Sequence, residues 1–351
     1  MKIAFVDVQF HKKTKSSLFF KELLLKHHEV VEFWHDGQER SINIEEINNG
    51  NFDAIIFWQE IFQLTKIKKM KCQNIIWVPM YDTEMDRKFN FIRTMGYTFL
   101  NIKIISFCIT LKSVFEKYGF KNILNVQYSP KPQFDNISEN IPIKMNILFW
   151  QRVKEIDWFL IKKLLNRDNI NKFILKNNLD QENKQPKLPN KKDTEAYKME
   201  ILNGWLNEEK YINILKESDV FIAPRKYEGI GMSFINAMTN GLIVIAPNTP
   251  TANEYIKDNI NGYLYDIKNP KQINLSNINE IRRNLKNDMT EKFNIWQNEQ
   301  EKILLYVELP LNKKVKKITY FLVYNIYGPT IEKSIQVIRY LIKNINKWKI
   351  I

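Results

Sequence analysis

The segment from residue 220 to residue 266 most constrains what this chain can fold into, because it reads as two consecutive strand–loop–helix steps. Apolar runs at residues 220–223 and 242–246 have the pattern of fully buried strands, and Pro224 follows the first of them. Helical spacing follows that proline, and Gly241 stands where a helix C-cap glycine belongs. Buried strands that alternate with helices predict a parallel, doubly wound sheet.

The turn between these two runs carries candidate functional groups. It reads Glu228-Gly229-Ile230-Gly231 and leads into a predicted helix at residues 232–238. The glycines let the backbone approach a ligand closely, and the free amides at a helix start can hold an anion such as a diphosphate. Glu228 supplies a carboxylate that can accept hydrogen bonds from sugar hydroxyls. A purely structural carboxylate that caps the helix is the alternative interpretation.

These residues resemble the donor site of GT-B glycosyltransferases, in particular the retaining family 4 enzymes. The family pattern is Pro-x-x-x-Glu-Gly-x-Gly-x-x-x-x-Glu-Ala-Met-x-x-Gly, followed by a strand and a loop with another Glu. The chain matches this pattern at Pro224, Glu228, Gly229, Gly231, Ala237, Met238, Gly241 and Glu254. It departs at Asn236, where the family has a second Glu that binds ribose hydroxyls. A neutral Asn binds such a hydroxyl more weakly than a carboxylate, and a structural Asn is the alternative.

The resemblance implies further donor-side residues. Arg152 follows a predicted strand at residues 146–150, where the family has a Gly-Arg pair that grips the diphosphate. Asp157 replaces the family's Lys five residues on, which leaves Lys154 as the substitute cation, with an exposed surface charge as the alternative. Trp205 lies in the loop that the family places near the nucleotide base, although a core Trp is the simpler interpretation. The implied donor-binding residues are Arg152, Lys154, Gly229, Ile230, Gly231, Met232, Asn236, Glu254 and Trp205, and Glu228 is the implied catalytic residue.

The first part of the chain matches the family only in its architecture. Asp82 follows a predicted strand at residues 74–79 and is a candidate catalytic base if the enzyme inverts. A retaining enzyme needs no such base, because the leaving phosphate can take the acceptor proton. His11 lies in a first loop that lacks the family's glycines, and it is either an acceptor-side group or a solvated loop residue.

The whole pattern predicts an α/β chain of two Rossmann-like doubly wound domains facing a cleft, the GT-B arrangement, with a C-terminal helical extension. The predicted segments are an acceptor-side domain at 1–136, a linker at 137–145, a nucleotide-sugar donor domain at 146–290, a closing crossover helix at 291–310 and a basic amphipathic tail at 311–351.

Composition excludes several other classes. No apolar stretch reaches the ~20 residues that span a bilayer, and the first residues lack a signal-peptide pattern, so we expect a cytoplasmic location. Cys72 and Cys108 have no metal-ligand spacing, so we expect free thiols, no metal, and no cofactor beyond the nucleotide-diphosphate sugar as co-substrate. No nucleic-acid motif accompanies the net charge of +14. No Gly-x-Gly-x-x-Gly follows the first strand, which argues against an oxidoreductase.

The positive charge is concentrated at the C-terminal end. Residues 311–351 carry nine Lys or Arg and one Glu, a local charge of +8, beside an apolar stripe from Ile331 to Ile345. This tail either packs on the body of the protein or lies on an anionic membrane surface, such as the inner face of the plasma membrane, with Trp348 as an anchor.

We therefore expect a retaining glycosyltransferase of surface polysaccharide or glycoconjugate synthesis. It would move a sugar from a nucleotide-diphosphate donor to a hydroxyl of a glycan or lipid-linked acceptor, without a nucleic-acid partner. The alternative is a catalytically weak or inactive GT-B subunit or scaffold. Asn236, the missing Lys and the glycine-free first loop favour that alternative, whereas Glu228 and Gly231 oppose it.

Overall fold

A computed structural model of the chain describes residues 1–309 except 38–41, 87–93, 95, 99, 101, 136, 139 and 179–187. It contains two compact units. Unit 1 comprises Met1–Val126 together with the chain from Glu299 onward, and unit 2 comprises Gln127–Asn298. The predicted tail at 311–351 lies outside the described residues, as does residue 310 at the end of the predicted crossover helix.

Unit 1 alternates strands with helices. Its strands are β1 (Lys2–Val8), β2 (Glu29–His35), β3 (Ala54–Trp58), β4 (Ile75–Val78), β5 (Ile102–Ser106) and β6 (Ile123–Asn125). Its described helices are α1 (Phe10–Thr14), α2 (Leu18–Leu25), α3 (Ile44–Asn49), α4 (Leu64–Ile67), α5 (Tyr81–Asp86) and α6 (Ile109–Lys117). The strands pair in parallel in the order β2-β1-β3-β4-β5-β6.

The core of unit 1 is rich in aromatic side chains. Every residue of β3 is buried, as expected for a central strand of a parallel sheet that is covered on both faces. Trp58 at the end of β3 has its ring centroid 5.2 Å from that of Phe20 on α2 and 6.0 Å from that of Phe107, which follows β5. This packing fixes α2 and the β5 end against the same face of the sheet.

Unit 2 repeats the alternation. Its strands are β7 (Met145–Gln151), β8 (Ile170–Asn177), β9 (Met199–Asn203), β10 (Val220–Ile222), β11 (Ile243–Pro247) and β12 (Tyr263–Tyr265). Its helices are α7 (Trp158–Leu164), α8 (Lys191–Ala196), α9 (Glu208–Glu217), α10 (Met232–Thr239) and α11 (Ala252–Tyr255). The parallel order β12-β11-β10-β7-β8-β9 reverses direction between β7 and β10. Ligands of doubly wound sheets bind beyond the strand ends at such a reversal, so the loops after β7 and β10 are the candidate site.

One long helix, α12 (Ile278–Glu308), begins in unit 2 and ends in unit 1. It begins 13 residues before the predicted crossover helix at 291–310. Ile281, Leu285 and Met289 are fully buried at spacings of four residues, which is the stripe of a packed helix. The intervening charged residues hide this stripe in the sequence. The predicted α/β class with two doubly wound sheets is confirmed.

Candidate functional site

The Glu228–Gly231 turn connects β10 to α10, and its geometry requires a glycine at position 231. Gly231 has a φ of +90°, in the left-handed region that side chains rarely adopt. A Cβ atom there would lie only 2.0 Å from Cε1 of Phe234, whose ring is fully buried. Gly241, just after α10, has a φ of +73°, which agrees with the predicted C-cap glycine.

The loop before α11 holds this turn in place. Thr251 is fully buried, and its Oγ1 lies 2.6 Å and 2.9 Å from the carbonyl oxygens of Glu228 and Gly229. The hydroxyl of Thr249 donates to the carbonyl oxygen of Lys226. Because 23 residues separate Thr251 from Glu228, no local sequence pattern could have revealed this contact.

The first turn of α10 offers hydrogen-bond donors to a ligand. Gly231 is the N-cap residue, so no side-chain oxygen caps the helix. The hydroxyl oxygen of Ser233 is buried, and no described residue is its hydrogen-bond partner. A helix start of this kind attracts anions through its amides and its dipole. Sequence reasoning did not single out Ser233, because a serine in the first turn of a helix is common.

The other predicted residues of this region lie on the same three elements. Glu228 and Ile230 are buried, with 7% and 5% of their surface exposed, and Met232 is half-buried at the start of α10. Asn236 is half-buried on the second turn of α10, and within the described chain no group is hydrogen-bonded to its side-chain amide. Glu254 is half-buried on α11, and its carbonyl oxygen accepts from Gln127 Nε2 at 3.5 Å. The roles of these residues stay predictions.

Across the reversal point, aromatic and basic side chains follow β7, β8 and β9. Arg152 comes directly after β7, and its guanidinium carbon lies 4.7 Å from the centroid of the Trp150 ring. Lys176, the penultimate residue of β8, has its ammonium nitrogen 3.1 Å from the same centroid. Trp205, after β9, is 46% exposed and lies 5.7 Å from that nitrogen. Sequence reasoning missed Lys176, because a lysine inside an apolar run gives no sign of its neighbours.

Asp157 stands at the position of the family's Lys, and Lys154 is the candidate substitute. Neither lies in the aromatic cluster around Trp150. Asp157 is the N-cap of α7, where its Oδ1 accepts from the Leu160 amide at 3.0 Å. Lys154 is exposed, and its ammonium nitrogen lies 3.8 Å from a carboxylate oxygen of Glu155. An exposed pair of this kind contributes little to stability.

Unit 1 brings a carboxylate and an imidazole together at the end of β1. Asp7 is fully buried, with Oδ1 2.6 Å from His11 Nδ1 and Oδ2 2.6 Å from the hydroxyl of Ser17, which donates to it. Because a carboxylate only accepts, His11 Nδ1 donates the hydrogen bond to Asp7 Oδ1. Sequence analysis named His11 but not the buried carboxylate that orients it.

Asp82 lies on the same edge of this sheet, since β1, β3 and β4 are consecutive strands. It is half-buried in the first turn of α5, and its Oδ1 accepts from the Thr83 amide at 2.8 Å. The hydroxyl of Thr83 in turn accepts from Gln59 Nε2 at 2.7 Å, just after β3. The base role of Asp82 stays a prediction.

The described part of the chain contains no metal-binding cluster and no membrane-spanning helix. Its His, Cys, Asp and Glu side chains form no group of three or more that could hold a metal ion. None of its helices is both long enough and apolar enough to cross a membrane.

Two doubly wound parallel sheets, with a Glu-Gly-x-Gly turn at the reversal point of the second, define the GT-B class of fold. The comparisons agree with this class. Residues 162–308 match the family model described as Glycosyl transferases group 1. The resemblance to GT-B glycosyltransferases is thereby confirmed, whereas the assignment to the retaining family 4 stays a prediction.

Three known proteins are similar to this chain. Anabaena HepE, solved in complex with UDP and glucose, superimposes with a TM-score of 0.58 at 14% identity, covering 88% of this chain and all of that one. Sucrose-phosphate synthase from Thermosynechococcus elongatus gives a TM-score of 0.62 at 11% identity, covering 87% and 98%. A UDP-Gal:α-D-GlcNAc-diphosphoundecaprenol α-1,3-galactosyltransferase of Escherichia coli is 28% identical over 129 residues, which is 34% of this chain and 33% of that protein. The match therefore spans about a third of the length of this curated relative.

Proposed function

We propose that this chain is a glycosyltransferase that moves a sugar, with retention, from a nucleoside diphosphate to a hydroxyl group. The single observation that carries the proposal is the Glu228–Gly231 turn at the reversal point of the sheet. It presents a buried carboxylate beside an uncapped helix start, and a buried Ser233 hydroxyl lies within the first turn. A nucleotide sugar presents both groups that such a site can bind, sugar hydroxyls and a diphosphate.

The chemistry follows from these groups. As the bond between the anomeric carbon and the phosphate oxygen breaks, negative charge develops on the diphosphate. The α10 amides, the Ser233 hydroxyl and the Arg152 guanidinium stabilise that charge without reorganisation, which lowers the barrier. Glu228 accepts hydrogen bonds from the sugar and fixes its orientation. In a retaining reaction the leaving phosphate takes the proton of the acceptor hydroxyl, so the proposal includes no resident metal and no separate base.

The remaining residues complete the donor site. In this proposal Asn236 and Glu254 bind the ribose side, Trp205 lies against the base, and Gly229, Ile230 and Met232 contact the diphosphate through their backbone. Lys154 is the least supported of the predicted ligands, because its ammonium group is exposed and near Glu155. If the reaction instead inverts, Asp82 or the Asp7–His11 pair is the base.

UDP-sugars are the donors to test first, and lipid-linked glycans the acceptors. HepE was solved with UDP and glucose, and the Escherichia coli relative is named for UDP-Gal and a GlcNAc-diphosphoundecaprenol. We place the reaction in surface polysaccharide or glycoconjugate synthesis at the cytoplasmic face of a membrane. The basic tail at 311–351 would bind that face, because each Lys or Arg near an anionic surface contributes ~1 kcal/mol.

A thermal-shift screen with UDP, ADP and GDP tests donor binding. A nucleotide present at 100 times its dissociation constant stabilises the folded state by about 2.7 kcal/mol, which raises the melting temperature measurably. The matching nucleotide sugars are then assayed for hydrolysis and for transfer to acceptors. Binding without any turnover would favour the alternative, an inactive subunit or scaffold. No stabilisation by any nucleotide would reject both.

Membrane binding is tested separately with sedimentation of anionic and neutral vesicles. The proposal expects salt-sensitive binding to anionic vesicles that is lost when residues 311–351 are deleted, with activity on a soluble acceptor retained. Binding that survives the deletion would assign the membrane contact to another surface.

A further inference from the structure

Lys176 is buried in a setting that is unusual for a lysine. Only 4% of its surface is exposed, and its ammonium nitrogen is surrounded by three aromatic rings. The ring centroids of Trp150, Tyr211 and Trp205 lie 3.1, 5.5 and 5.7 Å from that nitrogen. Aromatic faces attract a cation, yet they replace only part of its hydration. Among the described residues, none accepts a hydrogen bond from Lys176 Nζ.

A second cation shares the same ring. The guanidinium carbon of Arg152 lies 4.7 Å from the Trp150 centroid, so two basic side chains lie against one indole. Burial and the charge of Arg152 together lower the pKa of Lys176 to about 7. Among the described residues, the other titratable group facing this amine is the phenol of Tyr211 on α9, whose buried hydroxyl has no hydrogen-bond partner in the same part of the chain. On the β9 side the paired residue is the apolar Leu202.

The position of this amine within the sheet points to a ligand. Trp150 and Lys176 are paired neighbours at the ends of β7 and β8. The loop after β7 carries Arg152 and lies at the reversal point, beside the loop after β10 that carries Glu228. Asp157 stands where the related donor sites have a Lys and caps α7, and the candidate substitute Lys154 is exposed near Glu155. A diphosphate held by a single Arg would leave much of its charge without a partner.

We propose that Lys176 is a second diphosphate-binding cation of this site, sharing the phosphate oxygens with Arg152 and taking up a proton as the nucleotide binds. This inference rests on the proposed function. In the free protein near pH 7, Lys176 is a neutral amine in a large fraction of the molecules. The neutral form avoids repulsion from the Arg152 guanidinium. An incoming diphosphate reverses that balance, because an anion beside the amine favours the ammonium form. The amine then gains one proton from solvent, and it releases that proton when the nucleotide leaves.

Proton uptake has a measurable consequence for affinity. Above pH 7 the free protein must acquire the proton in order to bind, so nucleotide affinity falls by up to about tenfold for each pH unit. Below pH 7 the amine is already charged, and this dependence disappears. A nucleoside without phosphates lacks the anion, so its affinity should not change with pH for this reason.

Isothermal titration calorimetry at pH 8 tests the proposal on the full chain. UDP, or whichever of ADP and GDP raises the melting temperature, is titrated in buffers that differ in ionisation enthalpy, which counts the protons taken up. We expect up to one proton for the unmodified protein and none for Lys176→Met, together with at least about tenfold weaker binding at pH 7. Lys176→Arg keeps a charge that does not titrate, so we expect it to bind without proton uptake.

The matched control is Lys172→Met. Lys172 lies on the same strand four residues earlier, and its ammonium nitrogen is 2.5 Å from Glu200, away from the aromatic rings. The Lys172→Met variant should bind the nucleotide and take up protons as the unmodified protein does. The inference would be overturned if the unmodified protein binds the nucleotide without proton uptake and Lys176→Met binds it with the same affinity. That result would leave the proposed function standing. Absence of nucleotide binding to the unmodified protein would reject both.

Discussion

Each unit buries a lysine in a strand of its sheet, and the two lysines have opposite surroundings. Lys103, on β5 of unit 1, is 1% exposed, and its ammonium group donates to the carbonyl oxygens of Tyr306, Val307 and Leu309 at 2.5, 3.2 and 2.7 Å. Lys176, on β8 of unit 2, has aromatic faces around it and no such acceptor among the described residues.

The difference separates a lysine that holds backbone groups from one that lies among aromatic rings. The last carbonyl groups of a helix have no partners within the helix, and a cation there also interacts well with the helix dipole. Lys103 therefore joins the end of α12 to the sheet of unit 1, and Asn74 Nδ2 assists by donating to Val307 O at 2.9 Å. Among the described residues, Lys176 satisfies no backbone group. Burial of an amine with hydrogen-bonding capacity to spare costs stability, and the proposed diphosphate contact would use that capacity.

The largest expected effect concerns the Glu228–Gly231 turn, on which the proposed donor role of unit 2 rests. Glu228→Ala should lower turnover by at least ~10²-fold while the protein stays folded, because a contact to the reacting sugar is lost in the transition state. Steady-state rates at saturating donor, with circular dichroism as the check on folding, measure this effect. Near-normal turnover would remove Glu228 from the site and weaken the assignment of chemistry to this unit.

The next effect distinguishes phosphate binding from base binding. Arg152→Ala should weaken nucleoside diphosphate binding about 10- to 150-fold, the loss expected for hydrogen bonds to a charged group. The affinity for the corresponding nucleoside should change little. Titration calorimetry of both ligands gives the ratio. If both are weakened equally, Arg152 supports the fold or the base instead, and Lys176 would lose its partner cation.

The comparison of the two lysines is sharpened by one substitution in unit 1. Lys103→Met removes the donor from three helix-end carbonyl oxygens and should lower the free energy of unfolding by about 1–3 kcal/mol. Nucleotide affinity should not change. Denaturant unfolding measures the loss, and Lys112→Met, at a partly exposed site on α6, is the control expected to stay within about 0.5 kcal/mol. Unchanged stability of Lys103→Met would show that the contact with α12 is dispensable.

A smaller effect concerns the position where the chain departs from the family pattern. If Asn236 binds ribose, Asn236→Glu should keep or improve nucleotide affinity by a few-fold, since a carboxylate accepts hydrogen bonds more strongly. Asn236→Ala should weaken it by a similar factor. Unchanged affinity and rate in both variants would assign Asn236 a structural role only.

The smallest effect is a pH dependence of stability. Burial lowers the pKa of Lys103 from 10.5 to about 8, so the native state disfavours the charged amine. Between pH 8 and 10.5 the unfolded chain binds more protons, and stability rises with pH by an amount on the order of 1 kcal/mol. The difference in unfolding free energy between the unmodified protein and Lys103→Met isolates this contribution. A difference that stays flat or falls across this range would contradict the assigned surroundings of Lys103.

The sequence by itself determined the features that depend on near neighbours along the chain. Apolar runs placed β7, β10 and β11 within one or two residues, because a central strand of a parallel sheet is apolar on both faces. The spacing of Glu228, Gly229 and Gly231 identified the turn, since its backbone conformation is set within a few residues. The start of α12 was misplaced because charged residues interrupt its apolar stripe.

Only the tertiary structure decided which distant residues meet. Thr251 holds the Glu228 turn from 23 residues away, and the hydroxyl of Ser17 donates to Asp7 from ten residues away. Lys176 is surrounded by rings from β7, α9 and the loop after β9, which are up to 61 residues apart in the chain. Burial and the charge of a neighbour set the properties of an amine, and both depend on the packed fold. The sequence shows that residue 176 is a lysine, whereas the protonation state and the role of Lys176 depend on its neighbours in the fold.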